Sequence, residues 1–582
     1  MSDLVGDLVS VGAAVQAAGY VLGDEAGVQA RLEARLIEVG ALGRIQLAYA
    51  RQRQVVTGER LSQTVLRLGL VSEACMALAI ADTRGLQYVA PEAIPRPTPA
   101  ALALFRREWC LANGVLPLAV SGTQVDVLAG DVEFDRIGSV IERKVGFAPR
   151  FVISERQQVK KAIEAAFGNP AEAVRRAFDI EHRKLREDLQ SALPTEEFVR
   201  QLLALSLAER ATDIHLHPEP RAVHLSFRID GVLQPVIALD RGFARMVSAI
   251  KVMSGMDISD TMRPQDGRFS LVVAEFNLDV RVSTSITPDG ESVVMRLLPK
   301  GQFVSGLEEL GFIPEHIPLL ARLFEEPQGI LLMTGPTGSG KTTTLYAGLK
   351  PHGLSGKSIL TVEDPIEYNL PAAIQTQVNR KAGYTFDSAI RHFLRHDPDI
   401  MLVGEIRDEE TAQAASRAAE TGHLVLSTLH ANTAFGVPAR LGALGVGAQA
   451  VADNLIGVIS QRLARRICPH CIGEETRPRF TGADVERRFG IERSYMGKGC
   501  VACRGTGYFG RLPIYELLIC DRQVAHWIEA GARRSEIASV LGPANHVPMR
   551  SVAAMRLSAG DTSVEECLRL FGSMELQAED RV

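Results

Sequence analysis

A multidomain α/β chain is predicted by three observations. Between about residues 305 and 465, apolar runs ending on polar or charged residues alternate with amphipathic stretches, the pattern of a parallel sheet flanked by helices. One such run, Gly329 to Thr334, enters a glycine-rich turn, Gly335-Pro336-Thr337-Gly338-Ser339-Gly340-Lys341-Thr342, and re-emerges as a helical pattern. Ahead of it, residues 195 to 300 alternate with a period of two, as half-buried strands do. At 582 residues the chain is too long for one core, and about 150 residues per domain suggests three or four units.

Taken in chain order, residues 26 to 90 read as helices, with Leu32, Leu36 and Val39 at helical spacing and Leu61, Val65 and Leu68 repeating it. No regular internal repeat or low-complexity tract is expected. Val115 to Ala129 alternates like strands, and a helix follows near 156 to 167. From Gly168 to about Pro194 the chain is rich in Arg, Glu and Asp with little apolar periodicity, which suits a linker or an exposed helix. A helical run, Phe198 to Leu207, opens the next unit. There Val223, Leu225, Phe227 and Ile229 alternate with His224, Ser226, Arg228 and Asp230, and Asp230-Gly231 is a hairpin signal. Leu278, Val280 and Val282 alternate with Asp279, Arg281 and Ser283, which puts Arg228 and Arg281 on open faces. Candidate strands of the third unit are Gly329 to Thr334, Ile359 to Glu363, Ile400 to Val403 and Leu424 to Thr428, and a helical tail is expected from about 521 to 575.

The turn at 335–342 dictates the chemistry. A strand that ends in such a turn and re-enters as a helix aims several backbone N–H groups at one point, where they hold phosphate oxygens. Lys341 supplies a point charge for the terminal phosphates, and the Thr342 hydroxyl is placed for Mg2+, a hard cation that takes oxygen ligands. Thr343, next on the helix, completes the nucleotide-binding set. Parallel sheets put ligands at the carboxyl ends of their strands, so the residues ending the other strands should converge there. Thr361-Val362-Glu363-Asp364-Pro365-Ile366-Glu367-Tyr368 ends a strand in carboxylates, and Glu363 is the candidate for orienting an attacking water, supported by Asp364 and Glu367. Ile400-Met401-Leu402-Val403-Gly404-Glu405 closes on a second carboxylate in the manner of a Walker B strand, with glycine where many such enzymes carry aspartate. Thr421 to His430 places a histidine at each end of a further strand, and His430 lies at the edge shared with Glu363 and Glu405.

Four of the eight cysteines form two knuckles, Cys468-Pro-His-Cys471 and Cys500-Val-Ala-Cys503, the spacing that tetrahedral Zn2+ with four thiolates requires. His470 is read as a bystander, and Cys75, Cys110, Cys520 and Cys567 as buried small hydrophobes.

A net charge of -5, with 46% hydrophobic and 23% charged residues, provides no broad basic field for nucleic acid. The first residues carry Asp3 and Asp7 and no Lys or Arg, and no later run reaches about 18 apolar residues, so a cytosolic chain is expected.

With these motifs in this order, joined by Phe227-Arg228-Ile229-Asp230-Gly231 and Arg263-Pro264-Gln265-Asp266-Gly267-Arg268, residues 195 to 520 resemble the ATPases of type II secretion and type IV pilus assembly. Gly404 is normal in that family. The resemblance implies a RecA-like P-loop ATPase core preceded by a mobile α+β sheet domain and an N-terminal helical and α+β adaptor domain. The boundaries implied are 1–168 adaptor, 169–194 linker, 195–300 mobile domain, 301–465 ATPase core, 466–515 zinc module and 516–582 tail. It further implies a cytoplasmic homo-hexamer that hydrolyses ATP to ADP and phosphate. His430 would report loss of the terminal phosphate. Arg281 and Arg296 from the mobile domain, with Arg391 and Arg395 from the helix before Walker B, would reach the phosphates. The adaptor would dock on an inner-membrane platform or a membrane recruiting protein, giving peripheral association only.

Some relatives bind cyclic di-GMP there through tandem motifs opening Arg-Leu-Gly. Arg31-Leu32-Glu33 and Arg60-Leu61-Ser62 lack that glycine, and Arg35 and Arg51 stand where leucine is expected, so cyclic di-GMP is not an expected ligand. The motor reading has three rivals. A retraction motor would generally lack the cysteine module and the long N-terminal extension. A nucleic-acid translocase is disfavoured by the charge, and a non-hydrolysing scaffold by intact Lys341, Thr342, Glu363 and Glu405.

Overall fold

The computed structural model describes residues 25–167, 195–240, 245–273, 276–299, 306–354, 356–370, 373–475, 489–491, 493–532, 536–537 and 541–578. The expected linker at 169–194 lies outside them. The chain forms two compact units, residues 1–173 and 174–582.

In the first unit the helical pattern resolves into two helix pairs, Glu25–Glu38 with Arg44–Thr57 and Leu61–Arg67 with Glu73–Arg84. They are related. Gly40 and Gly69, each nine residues after an Arg-Leu pair, turn the chain with left-handed φ of 68° and 67°. Beside the expectation of no regular internal repeat stands one local echo: the two helix pairs share a turn glycine and the buried apolar positions Leu32 and Leu61, Leu36 and Val65. A four-stranded sheet follows, ordered Gln87–Tyr88, Ala148–Ile153, Gln124–Ala129, Val115–Ser121. Helices Phe134–Val145 and Arg156–Ala166 bury Phe134, Ile137, Ile141, Val159 and Ile163. Arg60 ties the helix pairs to this sheet through Asp131 at 3.0 Å.

The second unit opens with helix Thr195–Ala208 and a six-stranded antiparallel sheet. Its strand order is Val232–Asp240, Ala222–Ile229, Ala211–Pro218, Gly290–Pro299, Phe276–Thr287, Gln265–Val273. The alternation read from sequence sorts its faces. Ile214, Leu216, Leu225, Phe227, Val280, Val282 and Met295 pack with Phe198, Leu202, Leu203 and Ile250 of helices Thr195–Ala208 and Arg245–Met253. The opposite face carries His215, Ser226, Arg228, Arg268 and Arg281, with Leu233 and Val272 exposed among them.

Beyond it, eight strands form one sheet in the order Ala373–Gln377, Ile359–Glu363, Ile400–Ile406, Leu424–Leu429, Gly329–Thr334, Leu455–Ile467, Tyr508–Ile519, His546–Val547. The first six are parallel, and Tyr508–Ile519 runs antiparallel to both of its neighbours. Strand Gly329–Thr334 is buried throughout. Leu331 and Met333 face a layer containing Leu345, Tyr346, Leu320 and Phe324, while Ile330 and Leu332 face Ile390, Phe393, Ala415 and Ala418. Burial on both faces is why these strands read as continuous apolar runs.

The expected tail carries helices Arg522–Glu529, Met549–Ser558 and Val564–Ala578, with strand His546–Val547 between the first two. The apolar run ending at Ile519 is a strand along Leu455–Ile467, and His546–Val547 adds another. Val552, Val564, Cys567 and Phe571 of the later helices enter the same core as the phosphate-loop strand. Glu566, fully buried, bonds the Arg465 guanidinium at 2.7 and 2.9 Å and Arg569 at 2.6 and 3.0 Å. The C-terminal segment is thus part of the core.

Candidate functional site

The loop at 335–342 crowns the buried strand and starts helix Lys341–Leu349. Its glycines are obligatory for two reasons. Gly335, Gly338 and Gly340 have φ of 137°, 76° and 84°, and a Cβ on Gly335 would lie 2.2 Å from the Gln461 carbonyl oxygen. Only glycine lets the two backbones approach so closely. Pro336, Thr337 and Gly338 at the crest are exposed, and Thr342 and Thr343 are half-buried. Lys341 Nζ donates to the Gly335 and Pro336 carbonyls at 2.9 and 3.1 Å. Burial pushes its pKa down, and the nearby Glu405 carboxylate pulls it back up.

The strand order sets the neighbours. The histidine strand Leu424–Leu429 lies between the phosphate-loop strand and the strand ending at Glu405. Thr334 Oγ1 accepts from Ala431 N at 2.8 Å and donates to Ala431 O at 2.6 Å, which fixes His430, exposed, beside the loop. Thr428 donates to the Gly404 carbonyl at 2.8 Å. Glu405 is half-buried and paired with Arg407 at 2.6 Å. Lys341, Glu405 and His430 therefore gather at one edge. His423 is at the other end of the strand, where its Nδ1 lies 2.9 Å from the Ala418 carbonyl.

Glu363 is placed differently from its neighbours. Its carboxylate is buried, accepting from Tyr346 Oη, from Thr361 at 2.7 Å and from Gln375 at 3.2 Å. Burial, and then the Glu363 charge, push the Tyr346 pKa far up, so the phenol stays protonated and donates. Asp364 meets Arg380 at 3.4 Å.

The four arginines keep to their own surroundings. Arg281 and Arg296 are cross-strand neighbours, with Arg268 on the far side of Arg281 and Asp213 on the far side of Arg296. Asp213 bonds Arg296 at 3.1 Å, while Arg281 has no ion pair among the described residues. Like charges directly opposite one another repel, so this row favours an anion. Arg391 pairs with Asp387 at 2.6 Å. Arg395 lies beyond the last helical residue, Phe393, correcting its expected position in that helix, and donates to the Arg391 carbonyl.

Gln461 escaped sequence reading. Buried on strand Leu455–Ile467, it donates to the Ser339 carbonyl at 2.7 Å and accepts from Thr344 at 3.0 Å, bracing the loop from below. Its signal was there: Ser460-Gln461-Arg462 interrupts an apolar strand, and polar groups inside a core need partners.

Cys468, Cys471, Cys500 and Cys503 bring their sulfurs within 4.8 Å of one another. Neighbouring pairs stand at 3.7 and 3.8 Å, against the edge of about 3.8 Å of a tetrahedron with metal–sulfur bonds of about 2.3 Å. Cys500 N and Gly507 N donate to Cys503 Sγ. A Cβ on Gly497 would lie 2.0 Å from the Gly507 carbonyl oxygen, so the module also closes on glycine. His470 is exposed and outside the cluster.

The family model described as type II/IV secretion system protein matches residues 188–569, and an MshEN domain model matches residues 84–173. The type IV pilus assembly ATPase PilB of Thermus thermophilus is 37% identical over 529 residues, which cover 88% of this chain and 59% of that protein. The type II secretion system protein HxcR of Pseudomonas aeruginosa is 42% identical over 384 residues, covering 66% of this chain and 78% of its own length. Type II secretion system protein E of Klebsiella pneumoniae is 42% identical over 384 residues, covering 66% and 77%. The match thus spans less than two thirds of the Thermus protein and about three quarters of the other two. The phosphate loop, both carboxylate strands, the histidine strand and all four clustered cysteines fall within the segment matched by the first model, and the chain belongs to the type II/IV secretion system protein family.

Proposed function

We propose that this chain is a magnesium-dependent motor ATPase that hydrolyses ATP to ADP and phosphate and powers assembly of a type II secretion pseudopilus or a type IV pilus. One observation carries the reading: in a chain of this family, the strand leading into the phosphate loop is bonded directly to the segment bearing His430, and the strand ending at Glu405 is bonded to the histidine strand. Residues 335–343 hold the nucleotide, with Lys341 turning from its own loop carbonyls to the terminal phosphates. Thr342, and Glu405 through water, would hold Mg2+, which would offset phosphate charge. Glu363 orients the attacking water. Its three donors take up three of roughly four acceptor sites on a carboxylate, which leaves about one for that water. The row containing Arg281 and Arg296 meets the phosphates when the sheet domain closes, and Arg391 and Arg395 add positive charge from the core.

The working unit is a cytoplasmic homo-hexamer that reaches the inner membrane through a platform protein and a recruiting protein. No helix among the described residues is long and apolar enough to cross a membrane. In the N-terminal unit, Glu33 is buried against Arg51, and Arg35 bonds Glu38 and Asp82. These internal pairs occupy positions the cyclic di-GMP motifs would use and support a protein-docking role. Glu405→Ala is expected to abolish phosphate release by the full chain, and unchanged release would remove Glu405 from the mechanism.

Cys468, Cys471, Cys500 and Cys503 hold structural Zn2+, since four thiolates leave no open position for water. Wild-type protein should carry about one zinc per chain, and Cys468→Ser should lose it. Elemental analysis that finds the same zinc content in both would refute four-sulfur binding.

A further inference from the structure

Glu516 is a buried carboxylate with no part in the chemistry described above. It lies on strand Tyr508–Ile519, in register with Ser460, which pairs with Thr334, which pairs with Leu429. These residues form a line across four adjacent strands just below the phosphate loop. Glu516 is only 4% exposed. One carboxylate oxygen accepts the Ala434 backbone N–H at 2.8 Å, and the other lies 3.2 Å from His546 Nε2. The rings of Phe435 and His546 meet in a T-shaped arrangement, with centroids 5.0 Å apart.

The stretch from His430 to Ala434 is therefore pinned at two points. Thr334, the residue before the phosphate loop, holds Ala431 through both its N–H and its carbonyl. Glu516 holds Ala434, three residues farther on. A buried carboxylate is costly unless its site is built to receive it, and a neutral acceptor would serve a lone N–H as well. Among the described residues no lysine or arginine pairs with Glu516; its charged-group partner is His546, from the C-terminal segment.

We infer that Glu516, backed by His546, is a positioning residue for ATP hydrolysis: it sets the path of the loop that presents His430 to the terminal phosphate. The inference rests on the proposed role of His430. It also gives the C-terminal segment a direct hold on the nucleotide site.

The test is a double-mutant cycle in the full-length protein, reading kcat and KM for ATP. His430→Ala alone should lower kcat. Glu516→Ala should lower kcat about tenfold, the effect of roughly 1.4 kcal/mol, with KM changed less than about twofold. Glu516→Gln, which keeps an acceptor for Ala434, should recover most of the loss and guards against misfolding of the alanine variant. Adding Glu516→Ala to His430→Ala should cause no further loss. Wild-type kcat in Glu516→Ala, or losses that multiply in the double variant, would overturn the inference and leave His430 in place. Unchanged kcat in His430→Ala would overturn the role of His430 and the inference with it.

Discussion

Lys341→Ala is expected to lower kcat for ATP hydrolysis by roughly 10²–10³-fold, the effect of removing one preorganised charge-stabilising donor. Lys341 is well suited to the task because its ammonium needs no loop rearrangement to find the phosphates. It bonds the Gly335 and Pro336 carbonyls on the very turn that cradles them. Burial weakens its hydration, and Glu405 compensates. Lys341→Arg should not rescue turnover, because a planar guanidinium cannot replace a compact ammonium within that turn. Steady-state phosphate release with a parallel thermal melt checks the prediction: activity should fall while the melting point holds. Undiminished turnover would remove Lys341 from the phosphate site.

Glu566→Ala should destabilise the second unit by about 3–5 kcal/mol, the usual cost of leaving a buried charge without its partner. Arg465 would lose both guanidinium bonds and the acceptor for its own backbone N–H at 3.0 Å. Its guanidinium would be left over the Tyr508 ring at 3.9 Å. The same residue makes stability depend on pH. Burial alone would raise the Glu566 pKa, but hydrogen bonds from Arg569 and Arg465 outweigh it and hold the carboxyl below its ordinary value. A depressed folded-state pKa contributes stability that is full above the unfolded-state glutamate range and is lost as pH falls through the folded value. Denaturant melts across the acid range should therefore show wild type approaching Glu566→Ala as pH falls. A constant gap between them would contradict the assignment.

Much of the site was legible in sequence because parallel strands carry two signals, an unbroken apolar run and a polar terminus. Ile359–Glu363 begins and ends where the pattern places it, and Ile400–Ile406 and Leu424–Leu429 run slightly longer than expected. Side-chain direction was not legible. Glu363 lies at the expected strand end, yet its carboxylate is held by Tyr346, a contact between positions seventeen residues apart that no spacing rule anticipates. Gln461 was hidden for a related reason, because its partners Ser339 and Thr344 are over a hundred residues away. Strand Tyr508–Ile519 was missed because its second half is buried on both faces, which erases the alternation that marks a half-exposed strand. The local echo in the N-terminal helices was not legible because it is confined to two turn glycines and a few apolar positions.

Strand Leu455–Ile467 borders the phosphate-loop strand on one side and Tyr508–Ile519 on the other. Between these two strands the chain travels out through both cysteine knuckles and back. A catalytic fragment ending at residue 465 would therefore keep every residue proposed to touch nucleotide and still expose a long, apolar sheet margin, an invitation to self-association. The cysteine-bearing excursion is a hairpin whose returning arm seals the sheet's own flank.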